Sequence, residues 1–372
     1  MPIGIVQRSF KEPDMIRKSA TFNSPIHLFI ITAFIIINLS IPAFALDKKE
    51  YKVIIAFDTV LPFSEGIIDG LRTTLDAQLK TAGASASYQV FDTKLDPATI
   101  PAIMDAINAT KPDLICTVNY PTVFADNMIT KKLAGTGYKI ISENPIPVQS
   151  GVIKDWQKPG GNVTGVGVFL KFNPQIKLMK MINPKVKKVA FVSWDAVAQL
   201  NDWFEPELRQ ACREEGIELL EFRRVANAEE ELAFYSEYDK KGRDTFIMGG
   251  VSAWVHRDGT PADMTNLMPE RIHSLKNLQS LLYDESGPKT GSALGGACVV
   301  WYDIGAQMAE KGIKILNGAK PGDLPWEYPR KYNIMLNLQA AKDKGITFPP
   351  DLTDAAYRIY TDYKGTFLGS RN

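Results

Sequence analysis

The sequence predicts an α/β protein built as two similar halves, each a parallel sheet covered by helices. Three observations lead there. Short apolar runs alternate with longer segments of helical periodicity, the pattern of βαβ units. The strand-like runs are continuously apolar, as a sheet covered on both faces requires. The alternation stops at the turn-rich Lys158-Pro159-Gly160-Gly161-Asn162 and then starts again. One continuous doubly wound sheet is the alternative, but it would need about a dozen strands, more than open sheets usually carry.

The elements follow in order. Val53 to Phe57 reads as a buried strand. Ser64 then precedes Ile67, Ile68, Leu71, Leu75 and Leu79, the apolar face of a helix. Tyr88 to Phe91 (strand), Ala98 to Ala109 (helix), Asp113 to Val118 (strand), Thr122 to Leu133 (helix) and Tyr138 to Ser142 (strand) complete the first half. In the second half, strands are expected at Lys188 to Ser193, Ile217 to Phe222, Asp244 to Met248, Gln279 to Tyr283 and Ala297 to Trp301. Helices are expected at Trp203 to Gly216 and Ala228 to Lys240, and a long segment reaches Lys276. Asp303 opens a helix to Leu316 that Asn317-Gly318 closes. Then come a strand at Tyr332 to Leu336, a short helix at Leu338 to Lys344 and a last helix from Asp354 to Tyr363.

The first 45 residues stand outside this pattern. Arg17 and Lys18 precede an uncharged stretch from Ser19 to Leu46 that holds the apolar run Ile26 to Ile37 and ends at Pro42-Ala43-Phe44-Ala45. A basic start, an apolar middle and an A-x-A site describe a secretory signal peptide over residues 1–45. An uncleaved membrane anchor is the alternative, since about 20 apolar residues suffice to span. Asn38, Ser40 and Pro42 break up the second half of the stretch and favour cleavage. No Cys sits at the junction to take a lipid.

The 372 residues carry 43 Lys+Arg and 42 Asp+Glu, a net of +1. The leader holds more basic than acidic side chains, so its loss brings the net to −1. Near-neutrality argues against a nucleic-acid partner held by phosphate contacts. Cys116, Cys212 and Cys298 are widely spaced and odd in number. Buried free thiols are the expected reading, with a Cys116–Cys298 bridge as the alternative if their two apolar runs meet. The chain has no P-loop, no strand-to-helix G-x-G-x-x-G, no G-x-S-x-G and no H-E-x-x-H. Of three His, His27 lies in the leader, and neither His256 nor His273 sits in a metal-ligand pattern. No cofactor and no metal are expected.

Polar and aromatic residues instead cluster just past strand C-termini, where open α/β sheets bind ligands. Asp58, Thr59, Phe63 and Ser64 follow the first strand, and Asn119, Tyr120 and Thr122 the third. Glu143 follows the next strand. In the second half the equivalent positions are Trp194 and Asp195, Ser252, and Tyr283 with Asp284. Taken singly, Ser64 and Thr122 are ordinary helix caps, and Trp194 and Tyr283 ordinary core aromatics. Taken together, they furnish both walls of a cleft.

Several segments resemble one known family, the periplasmic substrate-binding components of ABC transporters, in the group whose known ligands include aromatic amino acids. Pro159-Gly160-Gly161-Asn162-Val163-Thr164-Gly165-Val166 matches the family's P-G-G-N-V-T-G-V. Ile182 to Val189 is similar to its L-P-x-V-K-K-V segment, and Tyr302-Asp303-Ile304-Gly305 to its Y-x-x-L-G helix start. Ile315 to Pro325 matches I-L-x-G-x-K-P-x-D-L-P. Asn337-Leu338, Ala340-Ala341 and Gly345-Ile346, with Pro349 beyond, resemble N-L-x-x-A-x-x-x-G-I. These motifs cover residues 159 to 350. The first half resembles the family in layout.

The resemblance implies a type I periplasmic-binding-protein fold, two Rossmann-like lobes joined by a three-crossing hinge. Lobe 1 would be residues 47–165 plus 302–327, and lobe 2 residues 166–301 plus 328–372. It further implies an exported, monomeric, non-catalytic protein that closes on a small organic ligand and delivers it to a membrane permease with a separate ATPase. Thr122 and Ser64 would hold a carboxylate, and Asp58, Asp195 or Asp284 an amine. Trp194, Tyr120 or Tyr283 would stack on the ligand. The chain departs from its relatives at Ser193-Trp194-Asp195, where Tyr-Asn-Pro is common. It departs again at Gly249-Gly250-Val251-Ser252, where a Pro-Ser-Asp-like turn is common, and around His256-Arg257-Asp258-Gly259 in a longer segment. Two rivals stay open: the same fold serving as an extracytoplasmic sensor for a membrane receptor, and an exported enzyme using carboxylates.

Overall fold

The structure, a computed structural model, describes residues 46–58, 64–94, 96–118 and 125–369. The expected leader therefore lies outside the described residues, as do Thr59, Phe63, Asn119, Tyr120 and Thr122. Among the described residues no helix is long and apolar enough to cross a membrane.

The apolar runs form two separate sheets, not one. The first contains β1 (Glu50–Phe57), β2 (Ser85–Asp92), β3 (Leu114–Val118), β4 (Ile140–Glu143) and β5 (Val163–Val166), in the order β2-β1-β3-β4-β5 and parallel throughout. The second contains β6 (Lys188–Trp194), β7 (Glu218–Val225), β8 (Thr245–Gly249), β9 (Gln279–Leu281) and β10 (Gly295–Val299), ordered β7-β6-β8-β9-β10. The two arrays thus wind identically: one strand to one side, then a reversal. Three further strands extend the second sheet beyond β10: β11 (Tyr332–Asn337), β12 (Arg358–Tyr360) and β13 (Phe367–Leu368). β11 runs antiparallel to β10, and β13 antiparallel to β12, so this sheet is mixed.

Helices cover both faces. In the first half these are α1 (Ser64–Thr81), α2 (Ile100–Thr110) and α3 (Ala125–Leu133). In the second they are α4 (Asn173–Ile182), α5 (Ala198–Glu215), α6 (Ala228–Lys241), α7 (Met264–Ser274) and α8 (Ser286–Thr290). α9 (Trp301–Leu316), α10 (Leu338–Asp343) and α11 (Pro350–Ala355) complete the chain. α1 buries Ile67, Ile68, Leu71, Leu75 and Leu79, the stripe its sequence spells out. Each such side chain contributes roughly 1.5–3 kcal/mol on burial.

Three differences from the sequence reading have physical causes. The segment before Lys276 contains α7: Asp263 caps it by accepting from Thr265 N–H at 3.1 Å, and Met264, Met268 and Ile272 form a one-sided stripe spaced by four. The expected last helix is absent. Arg358-Ile359-Tyr360 pairs with β11, and Asp362 then accepts from Lys364 N–H and Thr366 N–H to form a turn. α9 begins at Trp301, two residues earlier than Asp303.

The chain passes between the sheets three times. It leaves β5 through Gly167 to Phe172 into α4. It leaves β10 through one residue, Val300, into α9, which packs along α1. It returns from residues 326–328, which lie beside β5, to β11. Glu327 N–H donates to Gly165 O, and Gly167 N–H to Glu327 O at 2.8 Å. Two segments singled out in the sequence meet here. Gly160 and Gly161 adopt φ of +70° and +67°, and Gly160 N–H donates to Gly322 O of the Lys320-Pro321-Gly322-Asp323 turn. Asn162 ties the same turn to Leu133 O and Tyr138 O. These motifs are scaffold.

α1 and α9 run parallel in close contact. A Cβ at Gly70 would lie 2.8 Å from the carbonyl carbon of Tyr302 and closer still to its oxygen. A Cβ at Gly305 would lie 2.6 Å from Leu71 N. Glycine at both positions lets the backbones touch. Cys116, Cys212 and Cys298 are free and buried. Cys116 sits in β3 and Cys298 in β10, on different sheets.

Candidate functional site

In an open α/β sheet a crevice forms at the strand C-termini where the winding direction reverses. In the first array that point lies between β1 and β3, and in the second between β6 and β8. Candidate residues occur at both.

Asp58 follows β1, is fully buried and accepts from Thr93 Oγ1. Ser64, also fully buried, opens α1; its Oγ has no hydrogen-bond partner among the described residues. A helix start with free N–H groups and an unused hydroxyl is suited to an anion such as a carboxylate. Trp301, at the start of α9, lies alongside: its Cβ would be 3.1 Å from a Cβ at Gly66. Glu143 closes β4 and is buried. Next to it, Asn144 accepts from Ile146 N–H and donates to Ser150 Oγ, fixing the loop.

On the second sheet, Trp194 ends β6 and is held at three points. Its N–H donates to Val251 O at 2.7 Å, its carbonyl accepts from Asn201 Nδ2 at 2.7 Å, and its indole Nε1 donates to Ala226 O at 3.2 Å. The indole N–H is thus spent on the scaffold, and what the half-buried ring can offer a ligand is its face. Asp195 is exposed in the turn that follows. Tyr283 packs edge-on against Phe169 of the first crossing, with ring centres 4.9 Å apart. Both help wall an apolar recess with Phe172, Phe204, Met248 and Gly249. Asp284 accepts from Ser286 N–H at 2.8 Å and from its hydroxyl, and burial raises its pKa. Its carboxylate is therefore engaged in the turn that leads into α8.

Ser252 follows β8 in the loop that replaces the Pro-Ser-Asp-like turn. Beneath it lies Glu231 of α6, only 2% exposed, accepting from Ala253 N–H at 2.7 Å. Burial outweighs this bond and pushes the Glu231 carboxyl up to about 7. Sequence reasoning missed Glu231, Asn201, Thr93 and Trp301. Glu231 sits inside a run of three glutamates at a helix start, where charge complementarity to the helix end explains acidic residues without any further role. Of the three carboxylates expected to meet an amine, Asp58 is engaged by Thr93 and Asp284 by Ser286, whereas Asp195 is exposed. Among the described residues no three His, Cys, Asp or Glu side chains are grouped to hold a metal ion.

Comparison with known proteins follows the same lines. A family model described as ABC transporter substrate binding protein matches residues 51–249, more than half of the chain. A tyrosine-binding protein of Clostridioides difficile is 22% identical over 249 residues, 66% of this chain and 67% of that one. A ligand-free, open substrate-binding protein with adhesive properties from Clostridium difficile superposes with a TM-score of 0.66 at 19% identity, covering 84% of this chain and 99% of the other. An ABC domain from Streptococcus pneumonia in complex with L-Trp gives 0.64 at 20% identity, covering 83% and 99%.

Proposed function

The chain belongs to the family of ABC transporter substrate-binding proteins, and from that premise we propose that its ligand is an amino-acid-like molecule with an aromatic or apolar side chain. Proteins of this family are extracytoplasmic and non-catalytic, and this one binds a small organic ligand between its two lobes. The observation that carries the ligand reading is chemical contrast across the cleft. One wall offers a buried Ser64 hydroxyl at a helix start, without a hydrogen-bond partner among the described residues; the other offers the fixed face of Trp194 beside exposed Asp195. A carboxylate, a flat or apolar side chain and an amine would each find a partner. The tyrosine and L-Trp in the names of two relatives are consistent with this.

In this proposal Ser64 and Thr122 hold the carboxylate, Asp195 and Asp58 face the amine, and Trp194, Tyr120 and Tyr283 form the stacking surfaces. Thr59, Phe63, Asn119 and Glu143 are further candidate contacts from the first half, and Ser252 and Asp284 from the second. Lobe 1 comprises residues 47–165 plus 302–327, and lobe 2 residues 166–301 plus 328–372. The protein is exported by cleavage after Ala45, acts as a monomer in the periplasm and hands its ligand to a permease driven by a separate ATPase. A thermal-shift screen of amino acids, followed by calorimetry on the best binder with Trp194→Ala, tests the ligand assignment. The expected loss of affinity is tenfold or more. Unchanged affinity would remove Trp194 from the site, and no shift with any amino acid would refute the ligand class.

A further inference from the structure

We propose that Trp156 is a positioning residue for ligand capture: its indole clamps the first and third crossings to the first sheet, so that the two lobes turn about one axis. The inference rests on the proposed closure of the lobes about their crossings, and not on the identity of the ligand.

Trp156 lies in the link between β4 and β5, outside helices and strands, and packs with Trp326 against the outer core of the first sheet. Two crossings meet at it. Its carbonyl accepts from Trp326 N–H at 2.7 Å, where the third crossing arrives beside β5. Its ring stacks on Tyr328, with centres 4.5 Å apart and planes 24° from parallel. Its Cη2 lies 3.4 Å from where a Cβ at Gly167 would stand, so the same ring also reaches the first crossing. The link is itself fixed, since Asp155 accepts from Gln157 N–H at 2.7 Å and from Lys158 N–H at 2.8 Å. Lys171, at the far end of the first crossing, brings its ammonium to 5.7 Å from the centre of the Tyr328 ring.

Beyond these contacts both crossings continue outside regular structure, through residues 168–172 and 329–331. The backbone at the start of each bend is held by other means: Gly167 N–H donates to Glu327 O, and Gln307 Nε2 to Tyr328 O at 3.0 Å. Only the ring of Trp156 touches both crossings and the first-sheet core at once. Arg330 pairs with Glu310 and Glu327 nearby, but at the surface, where such pairs are worth little. A stacked aromatic pair shifts an equilibrium by roughly two- to tenfold. Without the indole, the two bends are no longer tied through one side chain, and the lobes spread over orientations in which the cleft walls do not face each other. The fraction of molecules competent to bind falls, and apparent affinity falls with it by the same factor for every ligand. A side chain that touched the ligand would instead discriminate among ligands.

The first measurement needs no ligand. Spin labels at Asp105→Cys on α2 and Lys240→Cys on α6, both exposed positions, report the distance between the lobes; the three native cysteines are buried. The distance distribution should broaden in Trp156→Leu and stay as in the wild type in Trp156→Phe, which keeps a ring for Tyr328. Tyr328→Leu removes the same stack from the other side and should broaden it likewise, and the double variant should go no further than either single one. An unchanged width in either leucine variant, or equal broadening with phenylalanine, overturns the proposal. In the second measurement L-tyrosine and L-tryptophan are titrated by calorimetry. Trp156→Leu should weaken both by the same factor, roughly two- to tenfold. Loss for one and not the other would make Trp156 a ligand contact and overturn the positioning role. If the wild type binds neither amino acid, the ligand assignment fails, and the distance distributions still decide for or against the clamp.

Discussion

Replacing Gly70 by alanine tests the contact on which the α1–α9 pair depends. The new methyl group would lie 2.8 Å from the Tyr302 carbonyl carbon, against an ordinary contact of 3.4 Å or more, so the helices must separate by about 0.6 Å at least. The obstacle is backbone, so no rotamer change can relieve it. Overpacking of this kind costs roughly 1–3 kcal/mol. Alanine returns about 1 kcal/mol of helix propensity relative to glycine. Because the obstacle is backbone, the upper part of the overpacking range applies, and a net loss of about 1–2 kcal/mol is expected, read as a lower urea midpoint with unchanged slope. Gly312→Ala is the control. It lies in the buried face of α9, but the nearest atom to its new methyl is Leu114 Cδ2 at 3.2 Å, the end of a flexible side chain. It should be neutral or stabilising. If Gly70→Ala is as stable as wild type, or if Gly312→Ala loses as much, close backbone packing is not what joins these helices.

Three further outcomes are expected. Because folding raises the Glu231 carboxyl from its ordinary value to about 7, its ionisation works against the fold. The wild type should lose stability relative to Glu231→Gln as pH rises from about 4.5 to 7, by on the order of 3 kcal/mol, and the gap should stay constant above that; a gap that does not change between pH 5 and pH 8 would contradict this. Burial pushes Cys116 to about 12 and Cys212 to about 11 and raises Cys298 as well, so the native protein should resist a thiol reagent that labels three sites after denaturation; fast labelling of the native protein would count against it. Lys311, nearly inaccessible, donates to Pro325 O and pairs with Glu327 at 3.1 Å, holding the third crossing on α9. Since Glu327 keeps Arg330 and Gln307 as partners, Lys311→Met should cost about 1–2 kcal/mol in urea denaturation, not the 3–5 of a fully stripped buried charge.

Much of the fold was legible because the strands are buried on both faces and announce themselves as unbroken apolar runs. The restart after Pro159-Gly160-Gly161-Asn162 located the passage between sheets. The misread stretches are those where local pattern and tertiary context part. Arg358-Ile359-Tyr360 is too short to signal a strand and gains its partner only from β11. The Met264, Met268 and Ile272 stripe of α7 was hidden by Pro269 within the helix. At the site, strand ends could be found from sequence, but the commitments of their side chains could not. Nothing in the spelling of Asp284-Glu285-Ser286 says whether the aspartate faces a ligand or caps its own turn. Likewise, the partner of Glu231, Ala253 N–H, lies about twenty residues away and depends on how α6 packs beneath β8.

The brevity of the second crossing has a mechanical consequence. Between the end of β10 and the start of α9 there is one residue, and beyond it Tyr302 is seated on Gly70. That strand of the connection has almost no torsional slack. A closure of the proposed kind would therefore have to bend at the longer Gly167–Phe172 segment and at residues 329–331 rather than at Val300. Ser64 and Trp301 lie close to this short connection, whereas Trp194 ends one strand of the second sheet and Ser252 follows another. In the proposed site the first pair would then keep its place during closure, while the second would travel with the other lobe.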